Sequence, residues 1–258
     1  MAHSVRAAGA TRARRGRKLA HRILAIDLGG THVKVLLHGE CDVRMADSGR
    51  DFGPADLVRT VRTLARGWRY DVIAMGYPGV VWHGRPFMDP PNLGPGWSKF
   101  DLPKAFRRPM RIINDAAMQA IGSYHGGRML FLGLGTGLGA ALIFDGEIEA
   151  TELGHLPYRK GRSYESWLGK HGLKRLGRKK WERAVFDVTE RLREAFRVEY
   201  VVIGGGNAKK LKSLPEGAQL GDNNNALKGA FALWLDPQWA GAVSAVDDRT
   251  GRAAAQPR

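Results

Sequence analysis

The chain has 258 residues, 43% of them hydrophobic, one cysteine and a formal charge of +16. That length builds one large domain or two small ones sharing a cleft. The lone Cys41 excludes an internal disulfide framework and a thiolate zinc site, which fits a reducing, cytoplasmic compartment. No run of about 18 apolar residues is present to cross a membrane.

The charge is concentrated. Residues 1–22 hold Arg6, Arg12, Arg14, Arg15, Arg17, Lys18 and Arg22 without one acid. They lack the apolar core of a secretory signal and read as a disordered basic tail, although the composition superficially resembles a transit peptide. From Arg159 to Arg183, ten basic side chains face two acids, a net +8. This row either meets a polyanionic partner or forms a solvated helix face. Residues 236–258, rich in Ala, Gly and Arg, read as a second disordered tail.

Order is expected to begin at Ile23. Residues 23–26 form an apolar run ending at Asp27, and residues 32–37 a second strand, with Gly29-Gly30-Thr31 as the tight turn between them. Residues 43–46 are a third strand candidate. From Pro54 to Ala65, apolar side chains recur at helical spacing behind a first-turn proline. Residues 71–75 read as a buried strand broken at Tyr77-Pro78-Gly79, and residues 111–113 as a strand ending at Asn114-Asp115, followed by a helix over 116–124.

A second round starts at Arg128. Residues 129–132 read as a strand, then comes Gly133-Leu134-Gly135-Thr136-Gly137-Leu138-Gly139, then a strand over 140–144 and a hairpin turn at Asp145-Gly146. Residues 181–196 form an amphipathic helix, residues 200–203 a strand ending in Gly204-Gly205-Gly206, and residues 226–235 a closing helix. A strand, a Gly/Thr-rich turn and a strand therefore occur twice. Two α/β lobes facing a central cleft explain the duplication.

Glycine-rich turns let backbone N–H groups approach a phosphate, and threonine adds a hydroxyl. Either turn alone reads more readily as a plain hairpin. Asp27 beside the first changes the balance, because a carboxylate next to a phosphate cradle calls for a Mg²⁺ ion between them. No lysine follows in Walker spacing, so this is not a P-loop. Asp115, at a strand end, suits a base that removes a hydroxyl proton, or else caps the helix after it. Glu152 and His155, three residues apart, can hold neighbouring sugar hydroxyls; alone they read as ordinary polar residues of a surface turn, and a metal cage would need further ligands.

In combination these segments carry a resemblance. Asp27-Leu28-Gly29-Gly30-Thr31, Gly76-Tyr77-Pro78-Gly79-Val80, Pro91-Asn92-Leu93 with Trp97, Asn114-Asp115, the 134–139 turn, Glu152-Leu153-Gly154-His155 and Gly204-Gly205-Gly206-Asn207 occur in the order seen in ROK (repressor, open reading frame, kinase) sugar kinases. The chain most resembles their compact polyphosphate glucokinase group, over residues 22–235. The resemblance implies the two-lobed, actin-like ATPase (ribonuclease H-like) fold: a small α/β lobe over 23–115, a large one over 116–225 and a closing helix at 226–235 returning to the small lobe.

It also implies roles. Asp115 would be the base on the 6-hydroxyl of glucose, with Asn92, Asn114, Glu152, His155 and Glu165 on the other hydroxyls. Gly29, Gly30, Thr31, Gly135, Thr136 and Gly137 would hold donor phosphates, Gly205 and Gly206 would face a nucleotide, and Asp27 would position Mg²⁺ through water. The donor would be ATP, polyphosphate or both, with Lys174, Arg175, Arg178, Lys179 and Lys180 as the polyphosphate track. A different hexose such as mannose or an amino sugar, or a non-catalytic sugar sensor or polyanion binder, are the alternatives. Two departures from the family matter. The cysteine-rich zinc motif between the Gly-His pair and the second glutamate is missing, so no zinc is expected, and residues 1–22 are too short for a helix-turn-helix, so no specific DNA is expected. Family members are commonly dimers, which allows a homodimer here.

Overall fold

A computed structural model describes residues 21–222 and 224–242. Of the tails expected over 1–22 and 236–258, residues 1–20 and 243–258 lie outside these residues. The first lobe is built from β1 (Ile23–Leu28), β2 (His32–Leu37), β3 (Arg44–Asp47), α1 (Pro54–Leu64), β4 (Val72–Tyr77), a small hairpin of β5 (Val81–Trp82) and β6 (Arg85–Pro86), α2 (Leu102–Phe106) and β7 (Met110–Asn114). Then come α3 (Asp115–Ser123), β8 (Arg128–Leu134), β9 (Leu138–Phe144), β10 (Glu147–Thr151), α4 (Tyr164–Leu168), α5 (Lys170–Leu176), α6 (Arg178–Phe196), β11 (Tyr200–Gly204), β12 (Ala218–Leu220) and α7 (Asn225–Leu235).

Each lobe has a mixed sheet of five strands, in the orders β3-β2-β1-β4-β7 and β10-β9-β8-β11-β12. Their plans match. A three-stranded meander supplies the antiparallel half, and two further strands add in parallel. The repeated strand-turn-strand pattern of the sequence is thus the first hairpin of each sheet.

Three cores divide the molecule. Leu24, Ile26 and Leu28 face one side of the first sheet, where α1, α2 and Trp97 cover them. Leu130, Leu132 and Leu134 face the outer side of the second sheet, covered by α6 and α4. Between the sheets lie α3 and α7, and here the strands present small residues, Ala25, Ala74 and Ala141, which lets the helices approach. Helix α3 packs chiefly under β8 and β9, while α7 crosses it and packs on β1 and β4.

Several bounds differ from the sequence reading. Strand β4 runs on through Gly76 and Tyr77, both buried, so the chain turns only at Pro78. Helix α6 gains a first turn from Arg178, a charged segment that apolar periodicity does not mark. The tail expected from 236 onward begins ordered: residues 237–239 form a 3₁₀ turn that buries Trp239 edge-on to Tyr124. Among the described residues no helix is long and apolar enough to cross a membrane.

The α3–α7 crossing is the tightest contact. A Cβ on Gly122 would sit 1.9 Å from the Asn225 carbonyl oxygen, and one on Gly229 the same distance from that of Met118. Alanine in either helix gains about 1 kcal/mol of propensity, but overpacking costs about 1–3 kcal/mol and here meets rigid backbone. Gly122→Ala and Gly229→Ala are therefore expected to lower the urea midpoint, with a net loss of up to about 2 kcal/mol in unfolding free energy. An unchanged or raised midpoint would contradict the tight crossing.

Candidate active site

The register of the first sheet sets the site. Asp27 on β1 lies beside Gly76 on β4, which lies beside Ile113 on β7, and Asp115 follows two residues later at the head of α3. Strands are about 4.8 Å apart, so Asp27 and Asp115 face each other across one missing side chain. A Cβ on Gly76 would come within 3.4 Å of the Asp115 Cα and clash with Met118. The second lobe closes in where a Cβ on Gly139 would meet the Ala116 methyl at 2.9 Å.

Asn114, rather than Asp115, caps α3. Its Oδ1 accepts from the N–H groups of Ala116 (2.9 Å) and Ala117 (3.1 Å), and its Nδ2 donates to the Gly79 carbonyl at 3.2 Å. One N–H of that amide remains for a ligand. Asp115 accepts from the Ala116 N–H through Oδ1 (2.8 Å), which leaves Oδ2 uncommitted among the described residues.

The two Gly/Thr turns share a division of labour. The Gly29 N–H is spent on the His32 carbonyl (2.9 Å), and the Gly135 N–H on the carbonyls of Gly133 (3.1 Å) and Gly137 (3.2 Å). Those two glycines shape the turns and do not offer a donor. The N–H groups of Gly30, Thr31, Thr136 and Gly137 have no partner among the described residues. Ser48 braces the first turn, its hydroxyl on the Gly29 carbonyl at 2.7 Å. Asn207 braces the second, its Nδ2 on the Gly135 carbonyl at 2.9 Å. Gly205, at φ +82°, lies so close to Leu134 that a Cβ would reach its backbone at 2.6 Å, which sets the Gly205-Gly206 turn directly beside the second turn.

The other predicted residues gather around these turns. Asn92 touches the first, since a Cβ on Gly30 would lie 2.8 Å from the Asn92 Cβ. The Glu165 carboxylate lies against the second, 2.7 Å from where a Gly137 Cβ would be. Glu152 and His155 are exposed neighbours, 3.9 Å apart. Lys174, Arg178, Lys179 and Lys180 are exposed on α5 and α6. Arg175 is exposed too, but its guanidinium is committed, donating to the Ser166 carbonyl at 2.8 Å and lying near the Trp167 ring. The start of α5 meets the second turn, the Lys170 N–H donating to the carbonyls of Gly135 and Thr136, both at 3.1 Å.

Like charge is concentrated here. Burial, followed by repulsion from Asp27 and Glu152, pushes the Asp115 carboxyl up to about 7. Burial also raises Asp27, opposed by Lys34, whose Nζ lies 3.5 Å from its carboxylate. Lys34 is a site residue that motif reading missed. Its signal was the register: across a tight turn, residue 34 stands directly opposite residue 27. Among the described residues no three His, Cys, Asp or Glu side chains form a metal-binding group. A single carboxylate beside unpartnered turn amides fits a hydrated Mg²⁺, which binds through one or two carboxylates plus phosphates and waters.

The raised Asp115 has a consequence for stability. The folded state holds its proton up to about pH 7, while the unfolded chain releases it near the ordinary aspartate value of 3.8. Folded protein therefore binds more protons across that window, and its stability falls as pH rises through it. Asp115→Asn, measured with chelator present, is expected to melt near the wild-type temperature at pH 4 and clearly above it at pH 8. A difference independent of pH would contradict the assignment.

A search of the curated proteins finds no match to the sequence. Solved structures share the fold. The inorganic polyphosphate/ATP-glucomannokinase of Arthrobacter sp. strain KM is 22% identical at a TM-score of 0.72, covering 82% of this chain and 97% of its own. The ROK family glucokinase of Streptomyces griseus, solved with glucose and AMPPNP, is 15% identical at a TM-score of 0.69, covering 82% and 98%. A ROK family transcriptional regulator, a homolog of the E. coli MLC protein, is 17% identical at a TM-score of 0.67, covering 85% and 79%. These identities carry the two-lobed fold alone. The ROK family profile matches residues 23–172, more than half of the sequence, and the chain belongs to the ROK family.

Proposed function

We propose that this protein is a cytoplasmic sugar kinase that transfers a phosphoryl group to the 6-hydroxyl of glucose, with Mg²⁺ and with polyphosphate, ATP or both as donor. The observation that carries the reading is Asp115: a carboxylate with one free oxygen, its pKa pushed up to about 7, placed between two turns with unspent N–H groups. A regulator that only senses sugar has no use for a general base tuned to neutral pH, whereas phosphoryl transfer does.

In this reading the sugar's 6-hydroxyl donates to the Asp115 Oδ2, which accepts its proton as the oxygen attacks the donor's terminal phosphorus, and the bond from that phosphorus to the bridging oxygen breaks to release ADP or a polyphosphate shorter by one phosphate. Asn92, the remaining Asn114 N–H, Glu152, His155 and Glu165 orient the ring through its other hydroxyls. The N–H groups of Gly30, Thr31, Thr136 and Gly137, with the Thr31 and Thr136 hydroxyls, hold the donor phosphates, and Lys34 places a positive charge beside them. Asp27 would hold Mg²⁺ through water, and the ion would supply positive charge to offset that of the donor phosphates. No structural zinc enters the scheme.

Asp115→Asn is expected to lower kcat by about 10²–10⁴-fold while sugar binding persists, since the amide still forms hydrogen bonds but cannot take the proton. A variant with near-normal kcat would remove Asp115 from this role.

The donor reading rests on α5 and α6. Their exposed bases lead away from the second turn, where the Lys170 N–H already meets its carbonyls. A long polyanion gains from each such charge by counterion release, with a salt slope of about 0.7 per contact for single-stranded nucleic acids. Replacing Lys174, Arg178, Lys179 and Lys180 with Gln is expected to flatten the salt dependence of polyphosphate use and to leave ATP use nearly unchanged. Equal loss for both donors, or wild-type protein inactive with polyphosphate, would leave ATP as the donor. Mannose is the second acceptor to test, since the Arthrobacter relative is a glucomannokinase.

A further inference from the structure

Between the 3₁₀ turn at Leu153–His155 and α4, the chain forms a short hairpin. Pro157 bridges to Ser163, the Tyr158 N–H donates to the Arg162 carbonyl (2.8 Å), and the Tyr164 N–H to the Leu156 carbonyl (3.0 Å). His155 stands at its entry and Glu165 at its exit. The Tyr158 ring packs between Tyr164 and Trp167, with both centroids 5.3 Å away. The Trp167 indole N–H donates to the Arg159 carbonyl at 3.2 Å.

This hairpin is tied to α6 through Asp187. The Tyr158 hydroxyl donates to the Asp187 carboxylate, Arg159 lies 3.3 Å from the same oxygen, and Arg191 grips both oxygens at 2.9 and 3.2 Å. Arg159 and Arg191 are more than half exposed, and ion pairs of that kind contribute about 0–1 kcal/mol. Stability alone is a weak reason to gather three donors on one carboxylate. A bidentate arginine and a tyrosine hydroxyl fix direction instead.

We infer that Asp187 is a positioning residue for the sugar site: by holding Tyr158 and Arg159 it sets the offset between His155 and Glu165 at the two ends of the hairpin. The inference rests on the sugar-kinase reading of those two residues. Neither Asp187 nor Tyr158 touches the reacting atoms in this scheme.

The test compares Asp187→Ala, Tyr158→Phe and the double variant in the full-length protein, with glucose and each donor varied in turn. The expected result is a KM for glucose raised about tenfold in Asp187→Ala and by a smaller factor in Tyr158→Phe. The donor KM should be unchanged and kcat should stay within about threefold. The double variant should be no worse than Asp187→Ala, because both act through one contact. A purely structural role would lower the melting temperature without moving the glucose KM relative to the donor KM, and that outcome overturns the inference. Tyr158→Phe removes one oxygen atom and keeps the test open if Asp187→Ala fails to fold. Wild-type protein that neither binds nor phosphorylates a hexose overturns the sugar-kinase reading and this assignment with it. Folded variants that match an active wild type overturn the assignment alone.

Discussion

The close crossing of α3 and α7 is the constraint on which the rest depends. Two glycines let the helices meet backbone to backbone, and alanines on the facing strands let both sheets close over them. Helix α3 begins where the first sheet ends and lies under the second, so the residue at its head is fixed with respect to both lobes. That residue is Asp115. A looser crossing would leave its distance from the second turn undefined, since the Ala116 methyl is what packs against Gly139.

The fold then assembles a charge problem. Asp27 and Glu152, from two other stretches of chain, both repel a charge on the buried Asp115. Lys34 offsets part of this from the neighbouring strand. The rest is held as a proton on Asp115, which is the form of a group able to exchange one near neutral pH.

How much of this was legible depended on whether the signal was local. The central strands β1, β2, β4, β7, β8 and β11 are apolar runs ending in glycine or polar punctuation, and each was readable within about two residues. The edge strand β10 was not, because Glu147–Thr151 is polar with one exposed hydrogen-bonding edge. Helix α5 hides behind Gly172, which packs so tightly on Trp167 that a Cβ would lie 2.0 Å from its carbonyl oxygen, a reason invisible in sequence. Among site residues, Asp27, Asp115 and the turns announced themselves by motif. Which N–H groups of the turns are free, and that Asn114 is the cap, follow from hydrogen bonds that only the folded turn displays. Lys34 needed strand register, and Asp187 needed a contact spanning 29 residues from Tyr158. The cysteine-free link between His155 and Glu165 was legible as a departure from the family; the aromatic and carboxylate anchor that holds it was not.

The most direct test is to identify the product. Purified protein with Mg²⁺ and glucose, given ATP in one sample and polyphosphate in another, would be followed by phosphorus NMR. The account predicts a phosphate ester on the glucose 6-oxygen with at least one donor, formed at a rate that rises with pH as Asp115 ionises. Donor left intact with both phosphates, across glucose, mannose, fructose and N-acetylglucosamine, would contradict it.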